Sequence, residues 1–364
     1  MPVEFIGFVG AQNASEIHPP SGPAIDRDYV ERVARAHEDG GFDRVLAAFH
    51  STGPESQLVV AHAASVTSRL GFMIAHRPGF TAPTIAARQL ATLDQFTGGR
   101  VAVHIITGGS DEELAKDGDH LTKDERYART SEYLDIVRQE WTSETPFDYK
   151  GDYYNVVQAF GGVKPHQKPQ IPVYFGGSSD AAIPVAGKHA DIFALWGETQ
   201  AQVAETIARV RHAAVKHGRQ VRFSLSLRPV IADTEEAAWA KADAIVAKTK
   251  ALREAAGLPT SGHRPPNAGS QRLLDAANQG SRLDKRLWTG VAAVTGAQGN
   301  STGLVGTPQQ VAEGLLDYYD LGVTTFLIRG FDPLEDAIAY GRDLIPLVRQ
   351  LVAERDARPA VAAG

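Results

Sequence analysis

The feature that most restricts the fold is a rhythm. Short runs rich in β-branched and aromatic residues alternate with longer segments of helical periodicity almost from end to end. The strand-like runs fall at 3–9, 44–48, 70–75, 100–107, 173–175, 190–195, 221–232 and 324–328. Helical patterns lie between or after them at 26–38, 56–67, 84–95, 124–141, 199–217, 235–255 and 334–352. Their apolar residues recur at spacings of three and four, as in Val203, Ile207, Val210 and Ala214. Thr307-Pro308-Gln309-Gln310 opens a further helix, with a Thr cap, Pro at the first helical position and Gln at the third. Eight right-handed βα crossovers in succession can close on themselves. The expected fold is therefore a (β/α)8 TIM barrel in one domain, 1–355, with an open doubly wound sheet as its rival. A small hairpin is expected around Lys150-Gly151-Asp152. Residues 257–303 break the rhythm with Gly, Pro, Ser and Asn. They are expected to be an insertion before the last βα unit and to act as a mobile lid. The tail, 356–364, is expected to be disordered.

A chain of 364 residues can bury a large core, and its net charge of −6 offers no electrostatic footprint for nucleic acid or an anionic membrane. It has no cysteine, which excludes disulfides, thiolate metal sites and Cys nucleophiles. No stretch approaches about 18 uninterrupted apolar residues, so no membrane span is expected. The first residues carry no basic region ahead of an apolar run, so neither is a signal peptide, and a cytoplasmic location is the expectation.

A barrel of this kind carries its site at the C-terminal ends of the strands. The fifth such end is Val173-Tyr174-Phe175-Gly176-Gly177-Ser178-Ser179-Asp180. Two glycines allow close backbone approach, and hydroxyls at a helix start suit a phosphate. The plain alternative is an ordinary βα turn capped by Ser178, Ser179 or Asp180, and Asp180 would compete with a phosphate. The other ends contribute Gly10-Ala11-Gln12-Asn13, Phe49-His50-Ser51-Thr52, His76-Arg77-Pro78, Thr107-Gly108-Gly109-Ser110, Trp196-Gly197-Glu198, Arg228 and Arg329-Gly330-Phe331. Hydroxyls, aromatics, His and Arg around a glycine-lined mouth suit a planar, phosphate-bearing cofactor better than a metal. No HExxH helix, GxSxG elbow or GxxxxGK[ST] loop is present, so no metal site is expected.

Several stretches taken in order carry a resemblance. They are Pro83-Thr84-Ile85-Ala86-Ala87-Arg88-Gln89, Thr92-Leu93-Asp94, Gly98-Gly99-Arg100, Thr107-Gly108, Glu125-Arg126-Tyr127, the segment 174–180 and Trp196-Gly197-Glu198. Together they resemble the bacterial luciferase-like flavin-dependent monooxygenases, and among these the alkanesulfonate monooxygenase branch. The resemblance implies a barrel that forms a homodimer or homotetramer. It implies reduced FMN delivered by a separate NAD(P)H-dependent flavin reductase, with O2 as co-substrate and oxidation of a small organic, possibly organosulfur, substrate through a C4a-(hydro)peroxyflavin. By matching motif, Ser178 and Ser179, with Gly176 and Gly177, hold the FMN phosphate, and Tyr127 borders the same end. His76, His104 and Thr107 line the ring. The Ala75–His76 bond falls where the family tends to place a non-prolyl cis peptide. His50, Trp196 and Arg228 are the expected substrate contacts.

Each of these has a structural alternative. His50 can be a loop histidine, His104, Trp196 and Tyr127 can be core residues, and Arg228 or Arg329 can pair with a structural acid. The substrate end also departs from the sulfonate pattern. An Arg-x-His pair in the seventh strand is replaced by Ser226 and Arg228, an insertion Arg by Thr295, and Tyr-x-His after the eighth strand by Phe331 and Pro333. Each lost charge-assisted donor costs about 1.5–3 kcal/mol, so a substrate other than a simple alkanesulfonate is expected. The rival functions are an F420-dependent oxidoreductase on the same barrel and a non-catalytic flavin-binding protein.

Overall fold

The computed structural model describes residues 2–262, 265 and 267–357. Eight parallel strands close into a barrel: β1 (Glu4–Phe8), β2 (Arg44–Ala47), β3 (Gly71–His76), β4 (Val101–Ile105), β5 (Val173–Gly176), β6 (Ile192–Trp196), β7 (Arg222–Leu227) and β8 (Val323–Ile328). Each pairs with its sequence neighbour, and β8 returns to β1 in the register Glu4↔Thr325, Phe5↔Phe326. That pairing excludes the open sheet. The strands are short and both their faces are covered, which is why they read as nearly continuous apolar runs rather than alternating ones.

The pleat sorts the side chains. Ile6, Leu46, Met73, Ala102, Tyr174, Ile192 and Leu327 fill the barrel axis. Their alternates Phe5, Phe72, Phe175, Phe193, Phe223 and Phe326 pack into the surrounding helical layer. Carried two residues further up each strand, the inward parity brings Phe8, Ala75, His104, Gly176 and Arg329 to the mouth, with Trp196 above Ala194.

Two expectations are corrected, and the Ala75–His76 bond departs from the tendency of the family that the chain resembles. The seventh strand does not run through to 232. After Leu227, the Arg228 N–H donates to Thr302 O at 2.9 Å and Pro229 has no N–H to offer, so the chain leaves the barrel. Val230–Ile231 instead joins a separate four-stranded sheet with Gly303–Gly306, Leu287–Trp288 and Arg282–Leu283. The last helix is not continuous either. It runs Pro333–Ala339, widens to a π turn at Tyr340–Leu344 and resumes at Ile345–Asp356. Pro346 lacks the N–H needed to continue the regular ladder. Finally, Ala75–His76 is trans. Both residues sit in a regular ladder, Ala75↔His104 and His76↔Ile105, and the cis bond among the described residues is Lys168–Pro169.

The insertion is more ordered in outline than its composition suggested. It contains the helices Ala268–Gln279 and Gly290–Thr295 as well as the small sheet, while residues 263, 264 and 266 lie outside the described ones. The hairpin Phe147–Lys150 with Asn155–Ala159 lies where expected. Of the expected disordered tail, Asp356 ends the last helix and 358–364 lie outside the described residues.

The π turn brings Gly341 against Gly40, the C-cap of the helix Arg27–Asp39. A Cβ on Gly341 would overlap Gly40 Cα and lie 2.8 Å from its carbonyl oxygen, both backbone atoms that cannot rotate away. Gly341→Ala should therefore destabilise the protein by about 2–3 kcal/mol. Urea unfolding measures it, and a change below about 0.5 kcal/mol would show that the two segments can move apart.

Candidate active site

The turn after β5 has the form of a cradle. Gly177 has φ +142°, and a Cβ there would lie 2.5 Å from the Tyr127 hydroxyl and 3.0 Å from Ala182 Cβ. Tyr127 comes from the helix Lys123–Thr142 and packs its ring on Phe175, centroids 6.2 Å apart. The following helix, Ala182–His189, has no side-chain cap. Ser178, Ser179 and Asp180 therefore do not act as the caps the plain alternative required. The hydroxyls of Ser178 and Ser179 are instead hidden from solvent with no hydrogen-bond partner. Asp180 points out fully exposed and pairs with Arg209 at 2.6 Å, so its charge is not set against the turn. A buried polar group left unpaired costs about 1–3 kcal/mol. Two together describe a site that a polar occupant completes.

The insertion closes over this turn. Asn267 caps the helix Ala268–Gln279 through Oδ1 to Ser270 N at 2.8 Å. A Cβ on Gly269 would lie 3.8 Å from Ser178 Oγ and 3.7 Å from Trp196 Cε3. Trp196 packs under the insertion against Leu273, Leu274, Ala277, Ala292 and Ala297. Two residues on, buried Glu198 accepts Arg272 Nε at 2.9 and 3.0 Å. Arg272 also donates to Gln202 O at 3.1 Å and Glu205 Oε2 at 3.2 Å.

Beside the turn, His104 stands on the mouth-facing side of β4. Its Nε2 lies 3.5 Å from where a Gly176 Cβ would be, and its Nδ1 has no partner. Burial lowers its pKa to about 4, so the ring is neutral at pH 7.

The luciferase-like monooxygenase family model matches residues 3–325, most of the chain. The chain belongs to the luciferase-like monooxygenase family. Solved structures sharing the fold include a riboflavin lyase (RcaE) with modified FMN and riboflavin, at TM-score 0.79 and 20% identity over 97% of this chain and 92% of that one. Another is the EDTA monooxygenase (EmoA) from Chelativorans sp. BNC1, at TM-score 0.73 and 20% identity over 99% and 95%. An F420-dependent secondary alcohol dehydrogenase aligns at TM-score 0.69 and 18% identity over 96% and 99%. At these identities the likeness is one of fold.

Not every matched motif is at the mouth. Asp94 is fully buried and accepts Gln167 N at 3.0 Å and Gln167 Nε2 at 2.7 Å. Arg100 ties down Leu70 O at 2.8 Å and Thr97 O at 2.9 Å. Glu125 completes a capping box with Thr122. These motifs hold the scaffold.

The predicted site residues divide. Gly176, Gly177, Ser178, Ser179, Tyr127, His104 and Trp196 gather around the turn and the insertion helix. Thr107 is buried just beyond β4. His76 faces the other way: its Nε2 meets the Tyr133 hydroxyl at 2.6 Å in the helical layer, and burial lowers its pKa to about 4. His50 is exposed, with Nδ1 3.9 Å from Glu113 Oε1. The stronger partner of Glu113 is buried Arg77, whose Nη2 donates to both carboxylate oxygens at 2.8 and 2.9 Å, while Ser51 N donates to Oε1 at 3.1 Å. Glu113 thereby ties together the loops after β2, β3 and β4.

Arg228 is wholly buried and fully engaged. It pairs with Glu16 Oε1 at 2.7 Å, donates to Gly330 O at 2.8 Å and sits over the Phe331 ring at 3.5 Å. Its guanidinium is a tie between the loops after β1 and β8 rather than a free hand for an anionic head group. Glu113, Arg272 and Asn300 were not singled out from sequence, because their partners lie 36 or more positions away and no local pattern marks them. Among the described residues, no cluster of three or more His, Asp or Glu could hold a metal, and no helix is long and apolar enough to cross a membrane.

Proposed function

We propose that this chain is the oxygenase component of a two-component system that uses reduced FMN and O2 to oxidise a small organic substrate. The observation that carries this is the pair of unpartnered hydroxyls, Ser178 and Ser179, at a Gly-Gly turn that no Cβ could share with Tyr127. Those two hydroxyls, the Gly176–Gly177 backbone and Tyr127 would hold the FMN phosphate; His104 and Thr107 would border the ring. Reduced FMN, when bound, supplies the activation of O2. The chain's own contribution is to orient the ring, hold His104 neutral beside it and exclude water beneath the insertion. His76, its imidazole taken by Tyr133, serves as a support for β3. The reductase partner is separate and NAD(P)H-dependent, and the working form is a cytoplasmic homo-oligomer.

The substrate is not a simple alkanesulfonate. Thr295 donates to Val291 O at 2.8 Å within its own helix, and Arg228 is already paired. Of the three expected substrate contacts, Trp196 and His50 remain.

The test is anaerobic titration with reduced FMN of the wild type and of the Ser178→Ala/Ser179→Ala double variant. Losing two charge-assisted donors should weaken binding roughly 100-fold. Without flavin, the variant should be as stable as the wild type or slightly more, because unpaired groups have been removed. Equal affinity in the two proteins sinks the proposal. Tight binding of F420 with none of FMN moves the chain to the deazaflavin branch, which its structural neighbours include.

A further inference from the structure

Across the mouth from the cradle, the ends of β1 and β8 and the last residues of the insertion enclose a second polar group. Its members are Arg228, Arg329, Glu16 and Asn300; Gln12 lies on the same loop as Glu16. Arg228 and Glu16 neutralise each other at 2.7 Å. Arg329 is left over. It lies over the Phe8 ring at 4.3 Å, and among the described residues its guanidinium makes one hydrogen bond, a long one, Nη2 to Ala14 O at 3.4 Å. Its Nε is hidden from solvent without a partner. So are Asn300 Nδ2 and Oδ1, Gln12 Oε1 and Glu16 Oε2. Two arginines and one carboxylate leave this group one positive charge in excess. Burial first, and then the neighbouring Arg228, disfavour the charge on Arg329, while Glu16 and Tyr29 favour it.

A fold gains little from seating a second, half-buried guanidinium beside the first with its Nε unpaired. A ligand group that brings one negative charge and accepts hydrogen bonds would repair the defect. We infer that Arg329 and the Asn300 amide form a substrate subsite for a carboxylate. Planar, bidentate recognition of a carboxylate is what a guanidinium fork does best. The empty acceptors, Glu16 Oε2 and Asn300 Oδ1, further suit a carboxylate with a neighbouring hydroxyl, which can donate to them. A sulfonate brings three acceptors and no donor. Arg329, not Arg228, is thus the cation that selects the substrate. The assignment takes its functional meaning from the proposed flavin chemistry, but the binding itself needs no flavin.

The test uses the full-length protein and calorimetric titration with hexanoate, 2-hydroxyhexanoate, hexanamide and hexanesulfonate. The two carboxylates should bind at least tenfold tighter than the amide and the sulfonate, with the hydroxy acid the tighter of the two. Arg329→Met should lose roughly 10- to 100-fold in carboxylate affinity, and Arg329→Lys should recover part of it. A substrate-binding role also predicts that Arg329→Met without ligand melts no lower than the wild type and keeps its affinity for reduced FMN. Equal binding of hexanoate and hexanamide, no binding of any probe, a preference for the sulfonate, or a lowered melting temperature in Arg329→Met would each overturn the assignment. Reduced-FMN affinity in the wild type reports separately on the flavin proposal, so either can fail alone.

Discussion

Acidification should unfold this protein between about pH 6.5 and pH 4, before most of its carboxylates are protonated. The cause is a set of histidines that the fold keeps neutral. His37 is 2% exposed, its Nδ1 2.7 Å from Val33 O and its Nε2 3.4 Å from Phe8 N. One ring nitrogen must donate to the carbonyl and the other must accept from the amide, which is the bonding of a neutral imidazole. Burial lowers its pKa, and that of His76, to about 4. His104 is held equally low and His189 lower still, both chiefly by desolvation. Unfolded, each returns to an ordinary value near 6.5. The unfolded chain therefore binds protons that the folded one refuses, and stability falls as pH falls from 6.5 to the folded value. Above pH 6.5 the contribution is fully present. His37 and His76 together contribute about 6 kcal/mol over that window, on the scale of a whole domain's stability of about 5–15 kcal/mol. Urea unfolding at a series of pH values measures the slope, expected to approach one proton taken up per buried histidine. A stability that stays flat from pH 7 to pH 4.5 would mean these rings accept protons in place.

His37 also shows what sequence reading can and cannot supply. Its helix was legible from Tyr29, Val33 and the glycine stop, but not that its ring would lie against Gly7 on β1, where a Cβ could not fit. The barrel was legible because alternation and strand length are local properties, repeated eight times. The cradle was legible as a turn, and its purpose was not. A capping serine and an unpartnered one look identical in sequence, and only the position of the helix start at Ala182 separates them. Arg228 and Arg329 pose the same problem. Both follow barrel strands, and the difference between them is made by Glu16, delivered from the loop after β1. The insertion defeated the rhythm because Gly, Pro and Asn there serve caps and turns of short elements, which compositional reading takes for loop. Its helix Ala268–Gln279 buries only Ser270, Leu273 and Ala276, a narrow stripe that shows in the sequence only as a short amphipathic piece around Leu273-Leu274.

That narrow stripe makes Arg272→Met a disruptive single change to the candidate site. The helix has little apolar surface with which to hold its place, so docking depends on the guanidinium. Glu198, at the end of β6, is 4% exposed, and burial holds its carboxyl above the usual range even with Arg272 beside it. Removing the cation leaves that carboxylate unpaired in a desolvated place, a change that costs about 3–5 kcal/mol. The barrel should survive, because Glu198 can take up a proton and its backbone remains tied by the Tyr318 hydroxyl to Glu198 O at 2.8 Å. The loss should fall on the insertion. Hydrogen exchange across residues 268–279 should accelerate by two orders of magnitude or more, roughly the factor that about 3 kcal/mol gives. Gly269 would then leave Ser178, Trp196 would lose its cover, and water would reach the cradle. Under the proposed function, substrate oxidation should fall while reduced FMN still binds. The double change Glu198→Leu/Arg272→Met should restore much of the protection, since an apolar pair of similar size removes the stranded charge. Unchanged exchange in Arg272→Met, or a double variant as labile as the single one, would show that the helix is held by its apolar contacts with Trp196 and not by the ion pair.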